Sequence, residues 1–426
     1  MGWLTQIRHS LLAIIFFLML CGFAQGESLE DKIFRLERII NAQQQQIDQQ
    51  SKQIDALSQK IGGQAFVKPA PVETPDAAMA PSRTITSSND KVKVELYGQL
   101  NRGALYVNDG DKSKLYQVDN DNSSTRLGLR GSLQPHADWT LGTRFEVEYQ
   151  SNASNVVNRE ETSTSGDNFV DRHIDIFLQS DTFGKVSIGK GDTASNNTSE
   201  VDLSGTTVAA YSDIAAVAGG QLFYDKSTDT LSGTEIGDVF NNFDGLSRKS
   251  RLRYDTPIWR GFSAATSVVS GTGGDVALFY SGKTDQFKIA AAGAYSDPGS
   301  DSDTIDNSWD GSASVLFQNG VNATVAAGLR ELKLSGRDDP TFFYAKLGYI
   351  AELLSAGKTA FSVDYSFNED VDEEGDEADA VGLQLVQNID AWATEFYLSY
   401  RFHSLDRSGT NFDDIHAMLS GLRVKF

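Results

Sequence analysis

The chain has 426 residues, a formal net charge of -21 and one cysteine. That length suits two ordinary domains or one large closed β architecture. The acidity excludes nucleic acid as the main partner, because phosphate binding needs a basic stripe, and the mildly polar mean hydropathy argues against a helical membrane protein.

Arg8 and His9 precede an apolar run at residues 11–23, and Ala24, Gln25 and Gly26 follow. This is the layout of a secretory signal peptide over residues 1–26, cleaved after Gly26. The run is shorter than the roughly 20 residues of a spanning helix. Cys21 lies inside it, so the mature chain would hold no disulfide and no cysteine metal site. Leu20 stands where a lipoprotein signal needs a small residue, which speaks against lipidation of Cys21.

Residues 27–61 carry a helical seam: Leu29, Ile33, Leu36, Ile40, Ile47, Ile54, Leu57 and Ile61 fall at alternating steps of four and three, with Gln43 and Gln50 in the two missing positions. Sustained heptads with a glutamine-rich exterior favour a coiled coil over a lone amphipathic helix on a partner surface. The two glutamines leave its strand number open. Residues 62–90 hold Pro69, Pro71, Pro75 and Pro81 without a period, and read as an extended, semi-stiff linker.

From 91 to 426 the period becomes two. In residues 139–149, Trp139, Leu141, Phe145, Val147 and Tyr149 share one face, against Arg144, Glu146 and Glu148 on the other. Residues 361–367 and 395–402 alternate in the same way. Sixteen strand candidates begin near residues 92, 124, 139, 171, 184, 248, 261, 275, 286, 308, 321, 341, 358, 379, 393 and 412. Every second connection is tight (134–138, 181–184, 256–261, 284–285, 319–320, 353–357, 389–391), and most of the others are long and polar. An even strand count, short turns at one end, long loops at the other and aromatics near strand ends favour an all-β transmembrane barrel over a sandwich or propeller. A sheet in lipid can have no open edge, so the last strand must pair with the first. Phe426 would then face lipid at the periplasmic interface and serve membrane assembly.

The segments 123–131 (SSTRLGLRG), 182–193 (TFGKVSIGKGDT) and 251–262 (RLRYDTPIWRGF), with 97–105 (YGQLNRGAL) and 422–426 (LRVKF), resemble strand motifs of the trimeric Gram-negative general porins. The resemblance spans residues 92–426. It implies a sixteen-stranded outer-membrane barrel, a homotrimer in contact with lipid and lipopolysaccharide, and a third loop folded into the lumen as a constriction. The coiled coil ahead of the barrel is similar in layout to porins with a periplasmic helical segment, and would meet a cell-wall or periplasmic partner. The loop after residue 191 lacks the short Pro-Glu-aromatic motif of many constriction loops.

Strand parity points Arg126, Arg130, Arg144, Lys190, Arg251 and Arg253 into the channel. In related porins such a basic wall faces acids on the third loop, and here Glu200, Asp202 and Asp213 are the candidates. The bland alternative is that these charges pair with one another and stiffen the wall. The expected function is passive diffusion of small hydrophilic solutes and ions, without a cofactor. The alternatives are a channel selective for anionic solutes such as carboxylates, or an outer-membrane to cell-wall tether. The run at residues 369–379 (EDVDEEGDEAD) reads as a solvated outer loop, with a divalent-cation bridge to lipopolysaccharide as the sharper reading. Of the mature histidines, His403 could approach His416 across a hairpin beside Asp406, but no catalytic or metal-ligand spacing accompanies them, and none points to an enzyme.

Overall fold

The computed structural model describes residues 83–85, 91–164, 168–271 and 273–426. The signal peptide, the coiled coil and most of the linker lie outside the described residues. Within the linker, Arg83–Ile85 pairs antiparallel with Val94–Leu96.

Sixteen staves form one closed antiparallel barrel. They are β1 (Lys93–Asn108), β2 (Ser113–Asp119, resuming as Arg126–His136), β3 (Trp139–Tyr149), β4 (Phe169–Ser180), β5 (Gly184–Asp192), β6 (Arg248–Asp255), β7 (Phe262–Val269) and β8 (Gly274–Lys283), followed by β9 (Phe287–Asp297), β10 (Ile305–Phe317), β11 (Val321–Leu332), β12 (Thr341–Leu354), β13 (Gly357–Glu369), β14 (Glu377–Ile389), β15 (Thr394–Asp406) and β16 (Ile415–Lys425). The ring closes where Gln99–Asn108 of β1 pairs with β16, and Phe426 N–H and C=O exchange hydrogen bonds with Gly98 at 3.0 and 2.9 Å.

Alternation puts apolar side chains outside. Ile174, Ile176 and Leu178 of β4, Val186 and Ile188 of β5, and Leu383 of β14 are all exposed. A continuous exposed apolar band of this kind needs lipid around it. Aromatic pairs ring both ends: Trp139–Phe183, Phe262–Tyr280 and Phe287–Phe317 at the short turns, Tyr149–Phe169 and Tyr295–Trp309 at the other end. Among the described residues no helix is long and apolar enough to cross a membrane, which leaves strands to do so.

One stave departs from expectation. The sequence places the second strand at about 124, yet its first half starts at Ser113. Both faces carry apolar residues there: Tyr116 and Val118 are buried on the inner face, while Leu115 is exposed outside. That inner face packs against the third loop, so it is apolar where a wet wall would be polar. His403 and His416 also separate. His416 pairs opposite Phe402 and bonds Tyr400 Oη at 2.7 Å, while His403 sits on the opposite face, fully buried against Phe240.

The acidic run is held rather than loose. Arg407 binds Asp372, Glu373 and Asp376 at 2.6–2.8 Å, and Arg337 Nη2 donates to the carbonyls of Asp370, Val371 and Asp372. Among the described residues no group of three metal-ligating side chains converges here.

Candidate functional site: a constricted lumen

The third loop, residues 193–247, turns into the barrel because the wall offers it a row of inward polar side chains. Asp275 of β8 accepts from Ser195 N–H at 2.8 Å and from Ser195 Oγ at 2.6 Å. Ser312 and Ser314 of β10 accept from Val201 and Leu203 N–H at 2.8 and 2.9 Å. Farther round, Lys346 of β12 donates to Asp202 Oδ2 and to the Ala210 carbonyl, each at 2.7 Å, and Ser362 of β13 meets Thr206 Oγ1 at 2.8 Å. Buried backbone N–H groups need partners, and these bonds supply them where no ladder exists.

Beyond this seam the loop forms a helical turn at Ala215–Ala218, a hairpin of Leu222–Asp225 with Thr230–Glu235, and a second turn at Ile236–Val239. Phe223, Ile236, Phe240 and Phe243 enter a core with Tyr344, Ile415 and Leu419 of the wall. The hairpin reaches the loop between β15 and β16, where Lys226 N–H bonds Asn411 C=O at 2.9 Å and Asp413 N–H bonds Tyr224 C=O at 2.8 Å. The loop thus covers the inner faces of β10 to β16. Open space remains beside β2 to β6.

That space is two polar chambers. The first, about 460 Å³ and nearer the long loops, and the second, about 410 Å³ and nearer the short turns, share Asn196 and Asn197 on their common border. In the first chamber, Arg126, Arg172, Arg248 and Arg423 face Glu200, Asp213 and Asp244 of the loop. Part of the wall's positive charge is answered from behind. Arg172 is bound by Glu146 and Glu148 at 2.8 and 2.7 Å, Arg248 by Asp192 at 3.0 Å and Arg423 by Glu395 at 2.5 Å. Glu200, Asp213 and Asp244 form no ion pair among the described residues. Asp244 accepts from the Asn197 N–H at 2.9 Å and Glu200 from Asn242 Nδ2 at 3.0 Å. Withdrawal from bulk water is the main cause that lifts Asp213 to about 7 and Asp244 to about 6. It also lifts Glu200, with repulsion from Asp244 and Asp213 added.

The sequence-derived basic set divides. Arg126 lines the first chamber, its Nη2 3.0 Å from Ser123 Oγ. Arg130, Arg144, Arg251 and Arg253 line the second. Arg130 stacks on Tyr97 at 4.3 Å, and Arg144 bonds Tyr97 Oη and Glu146 at 2.9 Å each. Arg251 is almost wholly engaged, with Asp175 at 2.7 Å and the carbonyls of Gly189 and Asp192 at 2.9 Å; Arg253 binds Asp255 at 2.7 Å and the Thr193 carbonyl at 2.5 Å. Lys190 is a correction. Ser187 pairs with Arg253 and Ile188 with Leu252, so Lys190 shares the outer face of Ile188 and bonds Asp171 at 2.8 Å. Asp202 is a second correction, because it points away from the chambers into the Lys346 anchor. Glu200 and Asp213 do face the first chamber.

Parity missed Arg172 because a bulge between Glu146 and Val147 shifts its register with β3. It missed Asp244 because Phe243, Gly245 and Ser247 all have positive φ, and such an irregular turn carries no period. Arg248 stands at the first residue of β6, where the loop enters the wall.

The family model for Gram-negative porins matches residues 70–408. Among solved structures the chain is similar to the anion-selective porin from Comamonas acidovorans (17% identity, 79% of this chain and 100% of that one, TM-score 0.52). It is also similar to in-vitro folded OmpT, an outer membrane protein of Vibrio cholerae (12%, 80% and 99%, 0.53), and to Salmonella typhi OmpF in complex with daunomycin (16%, 81% and 100%, 0.50). At these identities the likeness is one of fold. No curated protein sequence matches the chain. The family match spans most of the barrel and the linker before it, and the chain belongs to the Gram-negative porins, outer-membrane channels for passive diffusion.

Proposed function

We propose that the protein is a homotrimeric diffusion channel for small hydrophilic solutes and ions, with weak charge preference, and that the seamed third loop sets its narrowest point at Asn196 and Asn197. The observation that carries this reading is the pair of polar chambers meeting at those two residues. The trimer form of in-vitro folded Vibrio cholerae OmpT, to which the chain is similar in fold, supports the assembly. Ion selectivity in a wide pore follows the charges that solutes meet. Several wall arginines are paired with carboxylates behind them, which favours weak preference over strict anion selectivity. The heptads of residues 27–61 support a coiled coil, which on the outer-membrane reading lies in the periplasm and would meet a cell-wall or periplasmic partner.

Planar-bilayer conductance of the purified mature protein tests this reading. Closure in three equal steps and a small reversal potential in a salt gradient are expected. Absence of current from protein shown to be folded and inserted would overturn it. Liposome swelling faster with dicarboxylates than with neutral sugars of similar size would replace weak preference by anion selectivity.

A further inference from the structure

The outer face of β6 to β11 carries an apolar groove of about 1200 Å³. Gly293 of β9 opposes Gly311 of β10, and Gly311 opposes Ala327 of β11, so three neighbouring staves offer almost no side chain there. Tyr295 and Trp309 wall the groove towards the long loops, and the Phe262–Tyr280 pair lies on the short-turn side. The groove therefore runs between the two aromatic girdles, in the band that faces hydrocarbon.

The fold does not need glycine at 293. Its backbone is not left-handed, and a Cβ added there would meet nothing closer than the Asp310 carbonyl at 3.6 Å. Glycine weakens a strand, and within one it marks a place where something else approaches the backbone. The room at Gly293 opens outward, so it serves an occupant outside the chain.

The β6–β7 hairpin sets the polar end of that occupant. Its residues Thr256 and Ala264 line the groove and are joined by two hydrogen bonds of 2.9 Å. At the hairpin tip, Arg260 is exposed and stacks on the exposed ring of Trp259 at 5.2 Å. Arg260 has no acidic partner among the described residues. Short turns lie at the periplasmic interface, where tryptophan sits at headgroup depth and a guanidinium binds phosphate. At the other end, Asp297, Asp306 and Glu331 stand around Tyr295 and would repel a lipid phosphate.

We infer that this groove is a binding site for a phospholipid of the periplasmic leaflet: an acyl chain lies over Gly293 and the phosphate meets Arg260. A free cation at one end and hydrocarbon along the rest match one lipid molecule. The site rests on the outer-membrane placement and is independent of what the channel passes.

The test is native mass spectrometry of the folded protein, titrated in detergent with phosphatidylglycerol and with diacylglycerol, a phosphate-free probe with the same chains. One phosphatidylglycerol retained per chain is expected. Its half-saturating concentration should be at least about tenfold lower than that of diacylglycerol, the factor a single charge-assisted hydrogen bond supplies. Gly293→Leu, which fills the groove, should abolish retention while heat-modifiable folding and single-channel conductance persist. Arg260→Gln, on an exposed turn, should raise the half-saturating concentration of phosphatidylglycerol severalfold and leave that of diacylglycerol unchanged, a comparison that stands even if Gly293→Leu does not fold. Undiminished retention by folded Gly293→Leu, or equal binding of the two probes, overturns the inference. So does a groove that takes lipopolysaccharide in place of phospholipid, or a Gly293→Leu protein that changes oligomeric state without having lost lipid.

Discussion

Lys346 shows what one side chain decides. It is fully buried on the inner face of β12, and its ammonium joins Asp202, Thr206 and the Ala210 carbonyl of the third loop. Removing one partner of a buried pair leaves the other charge uncompensated, at a cost of about 3–5 kcal/mol. Lys346→Met is therefore expected to free the middle of the loop, raise single-channel conductance and lower the urea midpoint of unfolding. Unchanged conductance would mean that the Asp275 and Ser312 bonds suffice to seat the loop. The strand and its inward parity at Lys346 are legible from alternation. Its partner is not, since Asp202 lies 144 residues away in sequence and nothing local announces the pairing.

At the scale of the element, the third loop makes the channel's charge depend on pH. Asp213 titrates near 7 and Asp244 near 6, both raised chiefly by withdrawal from water. Above about pH 8 both are ionised; as pH falls through these values they take up protons, while the arginines keep their charge. The lumen thus becomes more positive towards pH 5, and the reversal potential in a salt gradient is expected to move towards anion preference. Asp213→Asn with Asp244→Asn should show the low-pH selectivity already at pH 8, and a pH-independent reversal potential in the unaltered channel would refute the assignment. The same shifts have a stability consequence. A carboxylate whose folded pKa lies above its unfolded value, about 3.9 for Asp, favours the folded state while protonated, and that contribution is lost as pH rises through the folded value. The seat of the loop is therefore tighter at pH 5 than at pH 8. The family resemblance offered Glu200 and Asp213 and also Asp202, which faces the wall, because the direction of a loop side chain follows from tertiary anchors rather than from period.

At the scale of the whole molecule, closure depends on a close approach between the two ends of the barrel. The Phe426 ring lies over Gly98, where a Cβ would come within 2.8 Å of the ring and 2.6 Å of the Arg126 carbonyl. Gly98→Val is expected to obstruct β1–β16 pairing, and to lower the fraction of protein that migrates as heat-modifiable folded barrel. Phe426→Ala removes a half-exposed ring, so its cost to the finished fold is about 1 kcal/mol. A normal folded fraction for Gly98→Val would mean that closure tolerates a displaced terminus.

The strand alternation, the grading of connections from tight to long and the aromatic ends determined the barrel and its sixteen staves from sequence alone, because lipid outside and a lumen inside impose a period of two on each strand. Tertiary structure decided the rest. The third loop chooses which half of the inner wall stays wet, and by packing against Ser113–Asp119 it requires an apolar inner face there. A one-residue error in parity was enough to turn Lys190 outward, and a single bulge to bring Arg172 inward. The break in β2 that gathers Arg126 and Arg423 at Ser123 joins residues 300 positions apart. Only the closed ring brings them together.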